Sequence, residues 1–376
     1  MELGDLRSLI DAAGASDHTL AAVVSDIGPE AVAFVLLKEM AERADGTEPA
    51  DSRPVTVRFE LTFGASTVSR CLHVGVGAVE HHAGSDPDAQ VTVSQALLDL
   101  ARGVYGPNAM RRNPTRRIVW DDKTPISEWS EVPRTAPAVH RLLRGTAPET
   151  IDLAGLMLRL GSDKWGLHYY TEHYETYLRH LRDSPIVLVE IGIGGFDVPN
   201  VGGGSLRAWS RYLHRAVVCG VDIENKTTVP GQRIRTFRGD QADPDFLQSL
   251  VRETGSPDVV VDDGSHRSSD VTATFRAMFP MLRSGGVYIV EDLQTSYWPR
   301  FGGSSTDLSS DRTSMGFLKG LVDGLNHEEI SRSSGRRAAD TDTQISGLHF
   351  HHNLAVVMKG RNEEGSLPEW HPARTE

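Results

Sequence analysis

From about residue 151 onward the chain alternates short apolar runs with stretches of helical length. Runs at 186–191, 217–222, 233–237, 258–262 and 286–291 are rich in Val and Ile, and 353–358 closes the series. Intervals at 171–182, 205–213, 243–253 and 268–282 carry helical periodicity. Strands apolar along their whole length suit a sheet covered on both faces. The rhythm predicts an α/β fold with a doubly wound, Rossmann-like parallel sheet.

In such a sheet ligands bind at the carboxyl ends of the strands. Two runs end in acid there: Val259-Val260-Val261-Asp262-Asp263-Gly264-Ser265-His266 and Val287-Tyr288-Ile289-Val290-Glu291-Asp292. If both are strands of one sheet, Asp263, Glu291 and Asp292 share a rim with His266 nearby. Three carboxylates suit a hard divalent cation such as Mg²⁺, and an imidazole suits a general base. Singly, each residue has a plainer use: His266 as a cap, Glu291-Asp292 as a charge pair at a helix start. Asp262 and Asp263 exchange roles if the register slips by one residue.

The first run, Ile186-Val187-Leu188-Val189-Glu190-Ile191, leads into Gly192-Ile193-Gly194-Gly195, and Gly202-Gly203-Gly204-Ser205 opens the next helix. Glycines admit a ligand close to the backbone, and a helix N-terminus offers free N–H groups. Asp222 ends the second run, where a ribose diol needs acceptors, and Asp240-Gln241 follows the third. A nicotinamide dinucleotide fold is the competing reading of a glycine turn alone. The ordered set resembles class I S-adenosylmethionine-dependent methyltransferases. That resemblance implies Glu190 beneath the methionine moiety, Asp222 on the ribose hydroxyls, and Asp240 and Gln241 at the adenine.

Upstream, residues 1 to about 45 carry apolar stripes at helical spacing, with a turn at 44–49. The period then changes to two: Val55 to Phe63, Thr67 to Val74 and Gln90 to Val93 read as strands. Ser94 is expected to cap a helix from Gln95 to Arg102, and His81-His82 to lie in a loop. With its Val91-Thr92-Val93-Ser94 and Leu97-Leu98-Asp99-Leu100 phrases, this part resembles the sterol-carrier-like fold; an accessory or oligomerisation role is the expected one. The organisation expected is an N-terminal α+β auxiliary domain (1–106), a connector (107–150), a methyltransferase domain (151–360) and a polar tail (361–376).

Composition narrows the partners. Acidic residues outnumber basic ones 51 to 39, a net charge of −12, which argues against binding nucleic acid through its phosphates. No apolar run approaches membrane length. Cys71 and Cys219 sit in apolar runs, and Met1 to Asp5 lacks the marks of a signal peptide, so a cytoplasmic setting is expected.

Ser162-Asp163-Lys164, Val189-Glu190-Ile191-Gly192-Ile193-Gly194, Gly203-Gly204-Ser205-Leu206-Arg207-Ala208-Trp209, Asp262-Asp263-Gly264-Ser265-His266 and Glu291-Asp292 together resemble the macrolide-sugar O-methyltransferases. The resemblance implies S-adenosylmethionine and Mg²⁺ as cofactors and a homo-oligomer, a tetramer by family habit. It implies Asp263, Glu291 and Asp292 as metal ligands and His266 as the base. The cofactor set is then Lys164, Glu190, Gly192, Gly194, Ser205, Asp222, Asp240, Gln241 and Asp262. For Lys164 a surface ion pair is the competing reading. Trp298 and Phe301, beside the Gly/Ser-rich segment 299–316, are expected to stack on substrate under a lid. His349, His351 and His352 are expected to be structural. Two other readings stay open: a non-catalytic lipid or small-molecule binder with a degenerate Rossmann domain, and a catechol- or cephamycin-type O-methyltransferase.

Overall fold

The apolar stripes of the first segment become three helices, α1 (Leu3–Ala12), α2 (Asp17–Ile27) and α3 (Pro29–Ala44). Ser16 caps α2 by accepting from the Thr19 N–H, and Pro29 opens α3, where its missing N–H costs nothing. They are seen in a computed structural model. It describes the whole chain except residues 45–53, 76–78, 84–88, 121–130, 149–150, 196–197, 199–200, 227–228, 230, 331–334, 336–338, 367–369 and 372–376. From residue 45 the expected turn lies outside the described residues, as does most of the polar tail beyond 366.

The helices cover one face of a five-stranded sheet. Its strands are β1 (Val55–Phe63), β2 (Ser66–Val74), β3 (Val79–Ala83), β4 (Val91–Ala96) and β5 (Arg117–Trp120), in the order β3-β2-β1-β4-β5. Alternation in β1 buries Val57, Phe59 and Leu61 on the helix side. Two expectations fail here. Ser94 and Gln95 extend β4 opposite Glu60 and Leu61, so α4 (Leu97–Tyr105) starts after Ala96 without a side-chain cap. His81 and His82 pair with Leu72 and Cys71 in β3 and are not in a loop. The segment 107–150, expected as a connector with some helix, holds α5 (Glu131–Arg144), whose Val139 and Leu142 enter the core beside α3, and adds β5, paired antiparallel with β4.

The remaining elements are α6 (Leu153–Leu160), α7 (Thr171–Leu178), β6 (Val187–Ile191), α8 (Gly204–Tyr212), β7 (Val217–Asp222), β8 (Ile234–Arg238), α9 (Pro244–Thr254), β9 (Val259–Asp262), α10 (Ser268–Met281), β10 (Val287–Val290), α11 (Ser314–Leu325), β11 (Ile345–His351) and β12 (Leu354–Lys359). They build a seven-stranded sheet ordered β11-β12-β10-β9-β6-β7-β8, in which β12 alone runs opposite to the rest and pairs antiparallel with both β10 and β11. Every residue of β6, β9 and β10 is buried. The strand order reverses between β6 and β9, which places the ligand crevice at their carboxyl ends. β11 carries the histidine cluster. His351 stacks on His173 at 3.8 Å and meets the Tyr177 hydroxyl at 3.0 Å, so these rings tie the sheet edge to α7.

The two sheets share one apolar core, running from Leu36 and Val57 to Val189 and Val260. A buried ion cluster crosses the same joint. The Arg233 guanidinium donates to Glu39 Oε1 at 2.7 and 3.1 Å, and to the carbonyls of Ser210, Leu213 and Ala216.

Candidate active site

The register of the sheet sets the rim. Asp262 pairs with Ile191 on one side and with Val290 on the other. The next rung therefore holds Gly192, Asp263 and Glu291. Gly192 has φ +90°, and a Cβ there would lie 2.0 Å from the Asp263 carbonyl oxygen, so only glycine lets these tips close.

Above the rim lies a cavity of about 940 Å³. Six of the expected cofactor residues line it: Gly192, Gly194, Ser205, Asp222, Asp240 and Gln241. Asp263, His266 and Asp292 line it too, as do Trp298 and Phe301 at the expected stacking positions. Asp222 is fixed by the Ile193 and Glu224 N–H groups, at 3.0 and 2.8 Å. Gln241 is committed on both sides: its amide donates to Asp262 and Thr274, and its oxygen accepts the Ser265 N–H.

Lys164, Glu190, Asp262 and Glu291 do not line the cavity. Alternation turns Asp262 away from Asp263, into the sheet, where it accepts from Gln241 and from the Tyr288 hydroxyl; burial pushes its pKa up to about 7. Lys164, delivered by the turn after α6, is neither a surface residue nor open to a ligand. At 1% exposure its Nζ lies 2.6 Å from Asp263, 2.8 Å from Glu291 and 3.2 Å from Glu190. Burial works against its charge, and the three carboxylates outweigh it, holding the ammonium pKa well above the usual lysine range. Glu190 is fully buried, and neither of its oxygens is aligned for a hydrogen bond; burial raises its pKa to about 7 against the pull of Lys164. Glu291 is 3% exposed, held by Lys164 and by the Tyr174 hydroxyl, and burial raises its pKa well above the carboxylate range.

Among the described residues, one group of three side chains brings its ligand atoms within 4.8 Å of one another: Asp263, His266 and Asp292. His266 takes the place beside the cavity that Glu291 was expected to fill. His266 Nε2 lies 4.0 Å from Asp263 and 3.7 Å from Asp292. Both His266 (φ +54°) and Asp292 (φ +53°) adopt left-handed backbone, a strained conformation for residues other than glycine. The buried Thr295 hydroxyl lies between their two carbonyl oxygens, at 3.1 and 2.8 Å. Tyr170 donates to Asp292 at 2.8 Å, and His168 stands 3.6 Å from the same carboxylate. Sequence reasoning missed Thr295, His168 and the hydroxyl roles of Tyr170 and Tyr174. The tyrosines lie about 120 positions from their partners, and no spacing signal spans that distance.

The site therefore joins a glycine-cradled, acid-ended cleft to a carboxylate–imidazole group on the same wall. Comparisons with known proteins agree. Residues 6–116 match the family model described as MycE methyltransferase N-terminal. The chain is 44% identical to the 8-demethyl-8-alpha-L-rhamnosyl tetracenomycin-C 2'-O-methyltransferase of Streptomyces olivaceus, over 95% of each chain. It is 40% identical to the demethylmacrocin O-methyltransferase of Streptomyces fradiae, over 98% of this chain and 94% of that one. A solved structure of the MycE methyltransferase from the mycinamycin biosynthetic pathway, in complex with Mg, SAH and mycinamycin VI, superposes with a TM-score of 0.89. That likeness has 33% identity and covers 99% and 97% of the two chains. These full-length likenesses set aside the nicotinamide and lipid-binder readings. The chain belongs to the MycE family of antibiotic-pathway sugar O-methyltransferases.

Proposed function

We propose that this enzyme moves the methyl group of S-adenosylmethionine to a hydroxyl of a deoxysugar on a glycosylated polyketide, with Mg²⁺ assisting. The observation that carries the reading is the shared cavity wall, where the glycine turn and Asp222 meet Asp263, His266 and Asp292. S-adenosylmethionine supplies an activated methyl on a sulfonium. Its fit rests on the glycine turn, where Gly192 and Gly194 line the cavity and a Cβ at Gly194 would meet only open space, and on the Asp222 carboxylate at the ribose position.

The donor set also fits a hard cation. Asp263 and Asp292 open to the cavity, and Glu291 is one Lys164 ammonium away from Asp263. Mg²⁺ prefers oxygen, so Asp263 and Asp292 would hold it, Glu291 would join them only by leaving Lys164, and the His266 imidazole would be left for the proton. A divalent cation there supplies Lewis-acid chemistry, lowering the pKa of a sugar hydroxyl. His266 Nε2 accepts the hydroxyl proton, and the acids around it hold the imidazolium formed. Tyr170 and Tyr174 orient Asp292 and Glu291. Trp298 and Phe301, 6.0 Å apart between ring centres, offer an apolar face to the sugar or aglycone.

An oligomer belongs to the same proposal, four copies by family resemblance. Supporting it, Ile118 and Val119 are exposed on the edge strand β5. Nucleic acid is an unsuited partner for a chain of net charge −12, and no single described helix is long and apolar enough to cross a membrane.

The test is a mass-spectrometric screen for methyl addition over glycosylated macrolides and aromatic polyketides, with S-adenosylmethionine and Mg²⁺. A mass gain of one methyl on the sugar, abolished by a chelator, is expected. Methylation that survives full chelation would remove the metal from the reaction; a catechol accepted in preference to every sugar would favour the catechol-type reading.

A further inference from the structure

The wall of the active-site cavity carries a second imidazole that the chemistry above leaves unused. His168 lines the cavity beside Leu167, on the turn that follows α6. Asp292 stands between the two rings. Its Oδ2 lies 3.7 Å from His266 Nε2, and its Oδ1 lies 3.6 Å from His168 Nε2. All three side chains line the cavity and are partly open to it. One carboxylate therefore has an imidazole at each of its oxygens, all on one wall.

The turn fixes His168 without spending its ring nitrogens. The His168 backbone N–H donates to the Asp163 carbonyl at 2.9 Å, and the Tyr170 N–H donates to the Lys164 carbonyl at 3.2 Å. Trp165 and Tyr169 bridge across the turn, with their rings edge to face at 5.1 Å. The imidazole lies flat on the Tyr170 ring, 4.9 Å between centres and 11° between planes. The hydroxyl of that same tyrosine donates to Asp292 Oδ1 at 2.8 Å, so this oxygen already has its donor. At 3.6 Å His168 stands beyond hydrogen-bond reach of it, and among the described residues its ring makes no other hydrogen bond. A histidine kept for structure spends at least one nitrogen on the protein. This one is held by stacking and by its backbone, and its nitrogens are left uncommitted.

We infer that His168 sets acceptor specificity: it hydrogen-bonds the sugar oxygen next to the hydroxyl that is methylated. The inference rests on the function proposed for this cavity. With the reacting hydroxyl at His266, the oxygen of the neighbouring ring carbon lies farther along the wall, past Asp292, where His168 meets it. A neutral imidazole offers one donor and one acceptor, so it pairs with a hydroxyl in either sense. A site built to bond a hydroxyl rejects the analogue that lacks it, because the protein's own polar group is then left unpaired. His168 thus selects sugars that carry a free hydroxyl beside the one to be methylated.

The experiment uses the full chain with S-adenosylhomocysteine and Mg²⁺. The probes are the glycoside that gains a methyl in the mass-spectrometric screen and its analogue with hydrogen in place of the neighbouring hydroxyl. Calorimetry is expected to show His168→Ala binding the parent glycoside about three- to tenfold more weakly than wild type, the value of one hydrogen bond. The deoxy analogue should bind both proteins alike. In turnover the loss should appear in KM, with kcat nearly unchanged. Mg²⁺ affinity without glycoside, and the Tm, should stay at their wild-type values; a role in holding Asp292 would move both. If the alanine variant melts lower, His168→Gln, whose amide reaches the place of Nε2, should keep the fold and recover part of the affinity for the parent. An equal loss for parent and analogue overturns the inference, as does a weaker hold on Mg²⁺ or no loss for either glycoside. A wild type that methylates no glycoside overturns the functional reading itself, and this inference with it.

Discussion

Two buried charge clusters organise this protein, and they are built in opposite proportion. At the joint between the sheets one acid, Glu39, faces Arg233 and Arg43. At the rim one base, Lys164, faces Asp263, Glu291 and Glu190. Burial alone would raise every one of these carboxyl pKa values. Around Glu39 the two arginines overcome that effect and hold its pKa down at about 2. Around Lys164 one ammonium is divided among three acids, and burial wins: Glu190 rises to about 7, and Asp263 and Glu291 rise as well. The first cluster is closed, and it ties α3 to the segments around α8 and β8. The second is acid-rich, and through Asp263 it opens to the cavity, so a second cation entering there would displace the protons that burial leaves on these acids.

Substitutions sharpen that contrast. The largest effect is expected from His266→Ala. The turnover rate should fall about 10²- to 10⁴-fold, while calorimetry finds donor affinity unchanged; equal loss of both would show that His266 builds the pocket and is no base. Next, Lys164→Met strips the acid-rich cluster of its base. Urea unfolding should show about 3–5 kcal/mol lost, partly recovered by millimolar Mg²⁺. A loss indifferent to Mg²⁺ would mean that the rim does not accept a cation. Glu39→Gln strands Arg233 and should cost about 3 kcal/mol by the same assay, with no response to Mg²⁺.

The clusters should also respond to pH with opposite sign. The folded pKa of Glu39, about 2, is depressed from 4.5. Its contribution, about 3 kcal/mol, is complete above the unfolded pKa and lost as pH falls through the folded one. The folded pKa of Glu190, about 7, is raised, so stability from that group falls as pH climbs between the two values. Urea midpoints of wild type and Glu39→Gln across this range should converge in acid; parallel curves would count against the ion-pair account. The smallest effect is expected at Trp298, half exposed at the cavity mouth. Trp298→Ala should raise the sugar substrate's KM about fivefold with little change in kcat, the value of one aromatic contact.

Much of the core was legible. The parallel strands β6, β7, β9 and β10 are covered on both faces, so burial writes continuous apolar runs, and their bounds fall within about a residue of expectation. β5, α5, α6, α11 and β11 were missed or left vague. Most of β5 is exposed and carries no alternation, and the exposed residues of β11 break its pattern. Of the site, the cleft-lining glycines, Asp222, Asp240, Gln241, Asp263, His266 and Asp292 were legible, because each ends a strand or follows a glycine turn. The inward places of Lys164 and Asp262, and the pairing of Glu291 with Lys164 and Tyr174, were not.

What the chain's order of residues determined alone is the doubly wound sheet and the chemistry offered at its tips. Both follow from local rules: apolar runs seek cover, and residues at strand ends face the crevice. Which acid faces the cavity and which faces a buried lysine was decided only in three dimensions. That choice depends on strand register and on side chains from α7 and the loop after α6, and electrostatic energy in a dry interior depends on distances that sequence separation does not encode.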